Sequence, residues 1–195
     1  MISASADVAD SAVLGAGTRI WQLAQVADGA VLGRRCVLGR GAYVGPQVVV
    51  GDHVKIQNYA LVYQPGTLGA GVFVGPAAVL TNDLNPRSVD VEGRPKAAGD
   101  WEQVGVHVKE GASLGARSVC VAPVTVGRWA MVGAGAVVTT DVPDFALVVG
   151  VPARRIGWVG RAGVRLDARG EGSWVCARTG MRYEEKEGSL HEILP

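Results

Sequence analysis

Aliphatic residues recur at every sixth position from Ile2 to Leu80 without one polar exception, running Ile2, Val8, Leu14, Ile20, Val26, Leu32 and on through Val62, Leu68, Val74 and Leu80. Four residues after each stands a small or β-branched residue, such as Ala12, Thr18, Ala24, Cys36, Val54 and Ala78. A fixed short period means that each unit is one structural step that cannot bury its own apolar face and must stack on its neighbours. Six residues are too few for a strand and a crossover helix but enough for a short strand and a tight turn. Three units then form a triangular coil of about 18 residues, and coils stack at roughly the 4.8 Å spacing of hydrogen-bonded strands. The aliphatic residue fills the prism and the small one sits near a corner.

Glycine often follows the aliphatic slot, as at Gly15, Gly33, Gly39, Gly45, Gly51, Gly69 and Gly75, which predicts close backbone packing between coils. The pattern stops after Leu80 and resumes in a shifted phase at Val108, Leu114, Cys120, Val126, Val132 and Val138. The segment 81–107 is therefore an insertion. Roughly twenty units make nearly seven coils, a prism of roughly 32 Å at about 4.8 Å per coil. A two-sheet sandwich would show period-two alternation and variable turns, and the sequence has neither.

Composition adds exclusions. Glycine is abundant at 28 residues and aromatics are scarce at 6%, which points away from a helical or ordinary α/β core. A net charge of +1 gives no overall drive toward nucleic acid or an anionic membrane. The first residues lack the basic and apolar regions of a secretion signal, and no apolar run reaches membrane-span length, so a cytoplasmic protein is expected. Cys36, Cys120 and Cys176 lack metal-ligand spacing; the first two fall on inward slots and read as small core residues. No metal site is expected.

Several segments carry a resemblance: Gly17-Thr18-Arg19-Ile20-Trp21, Lys55-Ile56-Gln57-Asn58, Thr81-Asn82 with Asn85-Pro86-Arg87, Val132-Gly133-Ala134-Gly135-Ala136 and Gly150-Val151-Pro152-Ala153-Arg154. Together they resemble the hexapeptide-repeat acyltransferases, more closely their sugar-nucleotide 3-amino N-acetyltransferase branch. The fold implied is all-β, a left-handed parallel β-helix, and the assembly implied is a homotrimer with acetyl-CoA bound between subunits. Where that branch commonly has His after the Trp, this chain has Gln22.

The organisation expected is a β-helix over 1–152 and a cap and tail over 153–195. The mixed basic and apolar segment Arg154 to Gly163 allows a short capping helix, and Ser173 to Tyr183 with Ser189 to Leu194 read as strands or a hairpin around Gly180 and Gly188. Glu171 to Tyr183 also resembles the tail of acetyltransferases acting on a UDP-linked amino-glucuronate.

Acyl transfer from a thioester to an amine needs an oriented amine, donors for the developing oxyanion, a proton acceptor and a stabilised thiolate. The long irregular 81–107 segment is the natural substrate wall. The resemblance assigns Asn82 to positioning the amine, through its amide oxygen. Asn is no base. His107, where the prism resumes, is a candidate base by position; the resembled branch implies instead that the departing CoA sulfur takes the proton. Lys55, Gln57, Asn58, Tyr63, Asn85 and Arg87 are candidates for the sugar or its diphosphate, with the Arg87 fork suited to a phosphate or a sugar carboxylate. The family-wide pattern implies a pantetheine arm along Ala116 and Ala134 and nucleotide phosphates near Arg154 or Arg155. His53 and His191 read as surface residues.

The expected activity is acetyl transfer to the 3-amino group of a nucleotide-linked sugar, with UDP-2-acetamido-3-amino-2,3-dideoxyglucuronate first and a dTDP-3-amino-3,6-dideoxyhexose second, in surface polysaccharide (lipopolysaccharide) precursor synthesis. A non-catalytic β-helix scaffold is the alternative of another class. A zinc anhydrase of similar shape would need three convergent histidines, and His53, His107 and His191 are widely separated.

Overall fold

The computed structural model describes residues 1–193, and within them the chain winds as a left-handed parallel β-helix with no α-helix. The chain visits three parallel sheets in strict rotation. The first face holds seven strands, from Asp7–Val8 to Val137–Val138; the second holds six, from Val13–Leu14 to Val124–Val126. The third holds eight, from Arg19–Ile20 through Ala146–Val149, closed by Arg154–Trp158. Each strand is only a couple of residues long because a straight segment must reach a corner before the next sixfold slot. In each such strand the second residue points inward: Val8 pairs with Val26, Val26 with Val44, Val62 with Leu80 and Leu80 with Cys120.

That last pair confirms the phase shift read from the sequence. Thr67 and His107 are register neighbours although 40 residues apart in sequence, whereas undisturbed coils repeat at 18. The insertion leaves and re-enters without disturbing the stack. Inside, Ile20, Leu38, Ile56, Val74 and Leu114 form one apolar column, with Ala24, Ala42, Ala60 and Ala78 at the following corner. Cys36 and Cys120 are buried there, and burial pushes the Cys120 thiol up to about 12, so both serve as core residues. Buried Thr18 is satisfied by donating to the Gly33 carbonyl (2.9 Å) and accepting from the Cys36 N–H (3.1 Å).

The corners carry a second periodicity. A left-handed backbone recurs every six residues, at Leu23, Arg35, Gln47, His53, Tyr59 and Ala77 and again at Arg117 and Trp129, with glycines at other positions of the series such as Gly29, Gly41 and Gly71. Such residues are costly when they are not glycine. Each is tied to the neighbouring coil by its own N–H: Arg35 to the Ala16 carbonyl (2.9 Å), His53 to Arg34 (2.8 Å) and Tyr59 to Arg40 (2.9 Å). At two corners in this series the chain turns instead through cis Gln64-Pro65 and Ala122-Pro123.

The tail departs from expectation at one point. Arg154 to Gly163 forms no capping helix; Arg154–Trp158 pairs antiparallel with Ala146–Val149. The reason is the open edge of the last coil, whose unpaired backbone groups an added strand satisfies and a helix would leave orphaned. Beyond it, Asp167–Ala168, Ser173–Val175, Arg182–Lys186 and Ser189–Ile193 form an antiparallel sheet. The strands expected around Gly180 and Gly188 are therefore present, with Leu194 outside the described residues. Glu185 fastens this sheet to the prism end, accepting from Trp158 Nε1 (2.9 Å), Arg155 (3.0 Å) and Trp174 Nε1 (3.2 Å).

Two expectations follow from this packing. A Cβ at Gly51 would lie 2.6 Å from the Ala70 nitrogen, whereas one at Gly99 meets nothing within 4 Å. Gly51→Val should lower stability by about 1–3 kcal/mol, seen as a reduced thermal midpoint, and Gly99→Ala should leave the midpoint in place. Partial burial pushes the Glu185 carboxyl up, but hydrogen bonds from Trp158 and Arg155 and the Arg155 charge outweigh it and hold the group below its ordinary value. Its stabilising contribution is thus complete above the ordinary carboxylate range of about 4 and is lost as pH falls through the lowered value. Acid titration should change the tryptophan fluorescence of wild type in that range, and Glu185→Gln should remove that transition.

Candidate functional site

The insertion is anchored at its base. The Thr81 hydroxyl accepts from the Ala122 N–H (3.0 Å), the Asn82 carbonyl accepts from the Val104 N–H (3.1 Å), and Asp83 bridges Gln103 in antiparallel fashion. Asn82 is therefore held by its backbone at the edge between the first and second faces. Among the described residues its half-buried carboxamide has no hydrogen-bond partner, so the side chain is available to a ligand. Asn85 closes a turn by donating its N–H to Asp83 Oδ1 (2.9 Å), and exposed Arg87 reaches only the Pro86 carbonyl (3.0 Å). Further out, Arg94 pairs with Asp90 and Glu92.

Tyr63 lies on the same edge, its ring 5.2 Å from that of Tyr43. His107 points outward from the second face, with Nδ1 2.9 Å from the Thr67 hydroxyl, in a hollow of about 380 Å³ shared with Val104, Pro123, Thr125 and Asp141. Asn82 and His107 thus stand at the two ends of the insertion, and Tyr63 lies one coil below Asn82 on the same edge.

The other candidates lie elsewhere. Gln57 and Asn58 sit on the edge between the third and first faces, and Lys55 projects from the third face beside it. Ala116 and Ala134 lie further along that edge, linked through the Gly135 N–H, which donates to the Ala116 carbonyl (2.9 Å). Two of these side chains have structural partners. Asn58 Oδ1 accepts from the Arg40 N–H (3.0 Å), and Arg155 is paired with Glu185 and stacked 4.1 Å from the Trp158 ring centroid. Arg154, by contrast, is exposed and its guanidinium touches only the Ala153 carbonyl. His53 and His191 are exposed, as expected.

The candidate residues of one chain therefore fall on the two edges that flank its first face. The sequence reading did not single out a feature of the second edge: a hollow of about 260 Å³ between Trp21, Gln22, Arg40 and Gln57. Trp21 was visible as part of a motif, but only stacking of residues 18 positions apart brings these four together. Among the described residues no cluster of His, Cys, Asp and Glu is arranged to hold a metal, and no helix is long and apolar enough to cross a membrane.

Two sequence families match the two halves of the prism. Residues 29–64 match the bacterial transferase hexapeptide (six repeats), and 105–140 match the hexapeptide repeat of succinyl-transferase. Both halves of the prism are thus built from hexapeptide repeats of the bacterial transferase type. It is 36% identical over 170 residues to the bifunctional protein GlmU of Alkalilimnicola ehrlichii, covering 82% of this chain and 35% of that one. It is 45% identical over 87 residues to the dTDP-3-amino-3,6-dideoxy-alpha-D-galactopyranose 3-N-acetyltransferase of Aneurinibacillus thermoaerophilus, covering 45% of this chain and 44% of the relative. The chain thus spans less than half the length of either relative. A maltose O-acetyltransferase from Clostridium difficile shares the fold, with a TM-score of 0.55 at 20% identity over 64% of this chain and 67% of that one.

Proposed function

We propose that this protein transfers the acetyl group of acetyl-CoA to the 3-amino group of a nucleotide-linked sugar. The observation that carries the reading is the anchored insertion, which holds the unpartnered Asn82 carboxamide at a prism edge, in a chain whose relatives include a dTDP-3-amino-sugar N-acetyltransferase. The Asn82 amide oxygen accepts a hydrogen from the sugar amine and directs the nitrogen lone pair at the thioester carbon. As the C–N bond forms and the C–S bond breaks, the proton leaves the nitrogen for the departing CoA sulfur, whose ordinary pKa of about 8.5 suits that role. Alignment of two bound substrates supplies most of the acceleration, since effective molarities reach about 10⁵ M or more.

The acceptor favoured within this class is UDP-2-acetamido-3-amino-2,3-dideoxyglucuronate, a precursor type for surface polysaccharide. Support comes from the tail sequence Glu171 to Tyr183 and from exposed Arg87, whose guanidinium is available to a sugar carboxylate. The second reading, a dTDP-3-amino-3,6-dideoxyhexose, is favoured by the 45% identical relative. Purified protein incubated with acetyl-CoA and a panel of UDP- and dTDP-linked 3-amino sugars should release thiol with at least one of them, and silence across the panel would sink the reading. Asn82→Ala should reduce kcat/KM by at least about a hundredfold. His107→Ala should cost less than tenfold, because a true general base contributes roughly 10² to 10⁴ in rate.

The reading includes a cytoplasmic homotrimer. In support, the outward positions of the first face, Tyr43, Leu61, Val79, Val119 and Val137, form one continuous apolar row that stays half-exposed in the single chain. Turning this face toward a threefold axis sets the Asn82 edge of one copy against the Gln57 and Ala116 edge of the next. Light scattering should then give three times 20.2 kDa for wild type. Leu61→Glu should yield folded monomers without transferase activity, and full activity in a monomer would refute the shared site.

A further inference from the structure

Both substrates of the proposed reaction need a place, and the third-to-first edge offers an ordered series. Ala116 and Ala134 occupy its upper part, while the Trp21 hollow lies on lower coils. The hollow is built by three stacked corners. Trp21 and Gln22 come from one, Arg40 from the next and Gln57 from the third, held together by the Gly41 N–H donating to the Gln22 carbonyl (3.1 Å) and the Tyr59 N–H to the Arg40 carbonyl (2.9 Å). Trp21 is 41% exposed, an uncommon position for an indole on a prism that buries most of its apolar side chains. Val37 forms part of the wall, and its register neighbours on either side are Arg19 and Lys55, both exposed.

The chemistry of these side chains is selective. Among the described residues, Arg19, Arg40 and Lys55 make no ion pair and no carboxylate lines the hollow; Arg34, on a different edge, is neutralised by Asp52 at 2.8 Å. Three unneutralised cations around an exposed indole suit a ligand with a flat aromatic ring and several negative charges. Gln22 and Gln57 each bring a donor and an acceptor on one amide, which complements the alternating edge of a nucleobase. An indole face provides a stacking platform for a base, and a guanidinium pairs bidentately with phosphate.

We infer that the hollow between Trp21, Gln22, Arg40 and Gln57 is the seat of the nucleoside diphosphate of the acceptor, with the base stacked on Trp21 and the phosphates facing Arg40, Lys55 and Arg19. This rests on the sugar-nucleotide acetyltransferase reading and adds to it the direction in which the acceptor lies. The Gln57 corner is about one coil below the level at which Asn82 leaves the prism, so a sugar attached to a seated diphosphate needs to extend only about 5 to 10 Å along the edge to meet Asn82 of a neighbouring copy. The sugar then points up the edge toward Ala116, where the acyl-CoA arm is expected. Donor and acceptor thus meet end to end along one edge.

The test uses the intact protein and calorimetric titration with UDP and with dTDP, neither carrying a sugar, and with acetyl-CoA in parallel. Wild type should bind at least one of the nucleotides. Trp21→Ala and Arg40→Ala should weaken that binding by about tenfold or more, as expected for loss of a base-stacking ring or a phosphate partner, while acetyl-CoA affinity and thermal midpoint stay within error. Trp21→Phe should recover most of the affinity, which a merely structural role at an exposed corner would not require. Nucleotide binding that is indifferent to both alanine substitutions would overturn the seat and leave the acetyltransferase reading intact. Trp21-dependent binding in a protein that acetylates no amino sugar would support the seat and overturn the acetyl-transfer reading. Binding of neither nucleotide nor acetyl-CoA would overturn both.

Discussion

The backbone hydrogen bond from one coil to the next is the interaction on which everything else depends. Strands of two or three residues have no stability alone, and each gains it only from the residues 18 positions before and after. The ladder runs with little interruption along the three faces, from Val13–Leu14 beside Val31–Leu32 to Met131–Val132 beside Ala146–Val149. It also sets the spacing that forbids a Cβ at Gly51 and that ties the left-handed corner residues to their neighbours. Because every side chain sits directly above another in the next coil, residues remote in sequence form columns. Chemistry on this fold is consequently organised by edges.

The insertion exploits that rigidity. It leaves an edge at Thr81 and returns at Val106, and both ends are held by a stack that carries on unbroken through Leu80 and Cys120. A polar side chain at such an exit is fixed in position without needing a partner of its own, which is the condition Asn82 meets. The opposite edge is fixed by the same ladder and carries Trp21, Arg40, Gln57, Ala116 and Ala134 in series. Between the two edges lies the apolar row of the first face, half-exposed in the single chain.

Legibility in the sequence followed the range of the interactions. The aliphatic and small slots, the glycines of close approach and the phase shift could all be read, because each repeats locally at period six. The helix expected within Arg154 to Gly163 failed because local composition says nothing about the unpaired edge of the last coil, which recruited Arg154–Trp158 as a strand. Similarly, Arg154 and Arg155 are indistinguishable in the sequence, whereas in the fold Arg155 pairs with Glu185, 30 residues away. Asn58 read as an outward polar residue, but the coil below occupies its amide oxygen through the Arg40 N–H.

The sequence by itself determined the period, the prism and its interruption after Leu80, since a solenoid repeats one local rule and any failure of that rule is visible at once. Only the tertiary structure decided which edge each polar residue occupies and which side chains remain unpartnered. Those properties depend on stacking at 18 residues and on contacts between the tail and the prism end, and no six-residue pattern records them. Trp21 illustrates the division: its position at a corner follows from the repeat, while the company of Gln22, Arg40 and Gln57 comes from the stack.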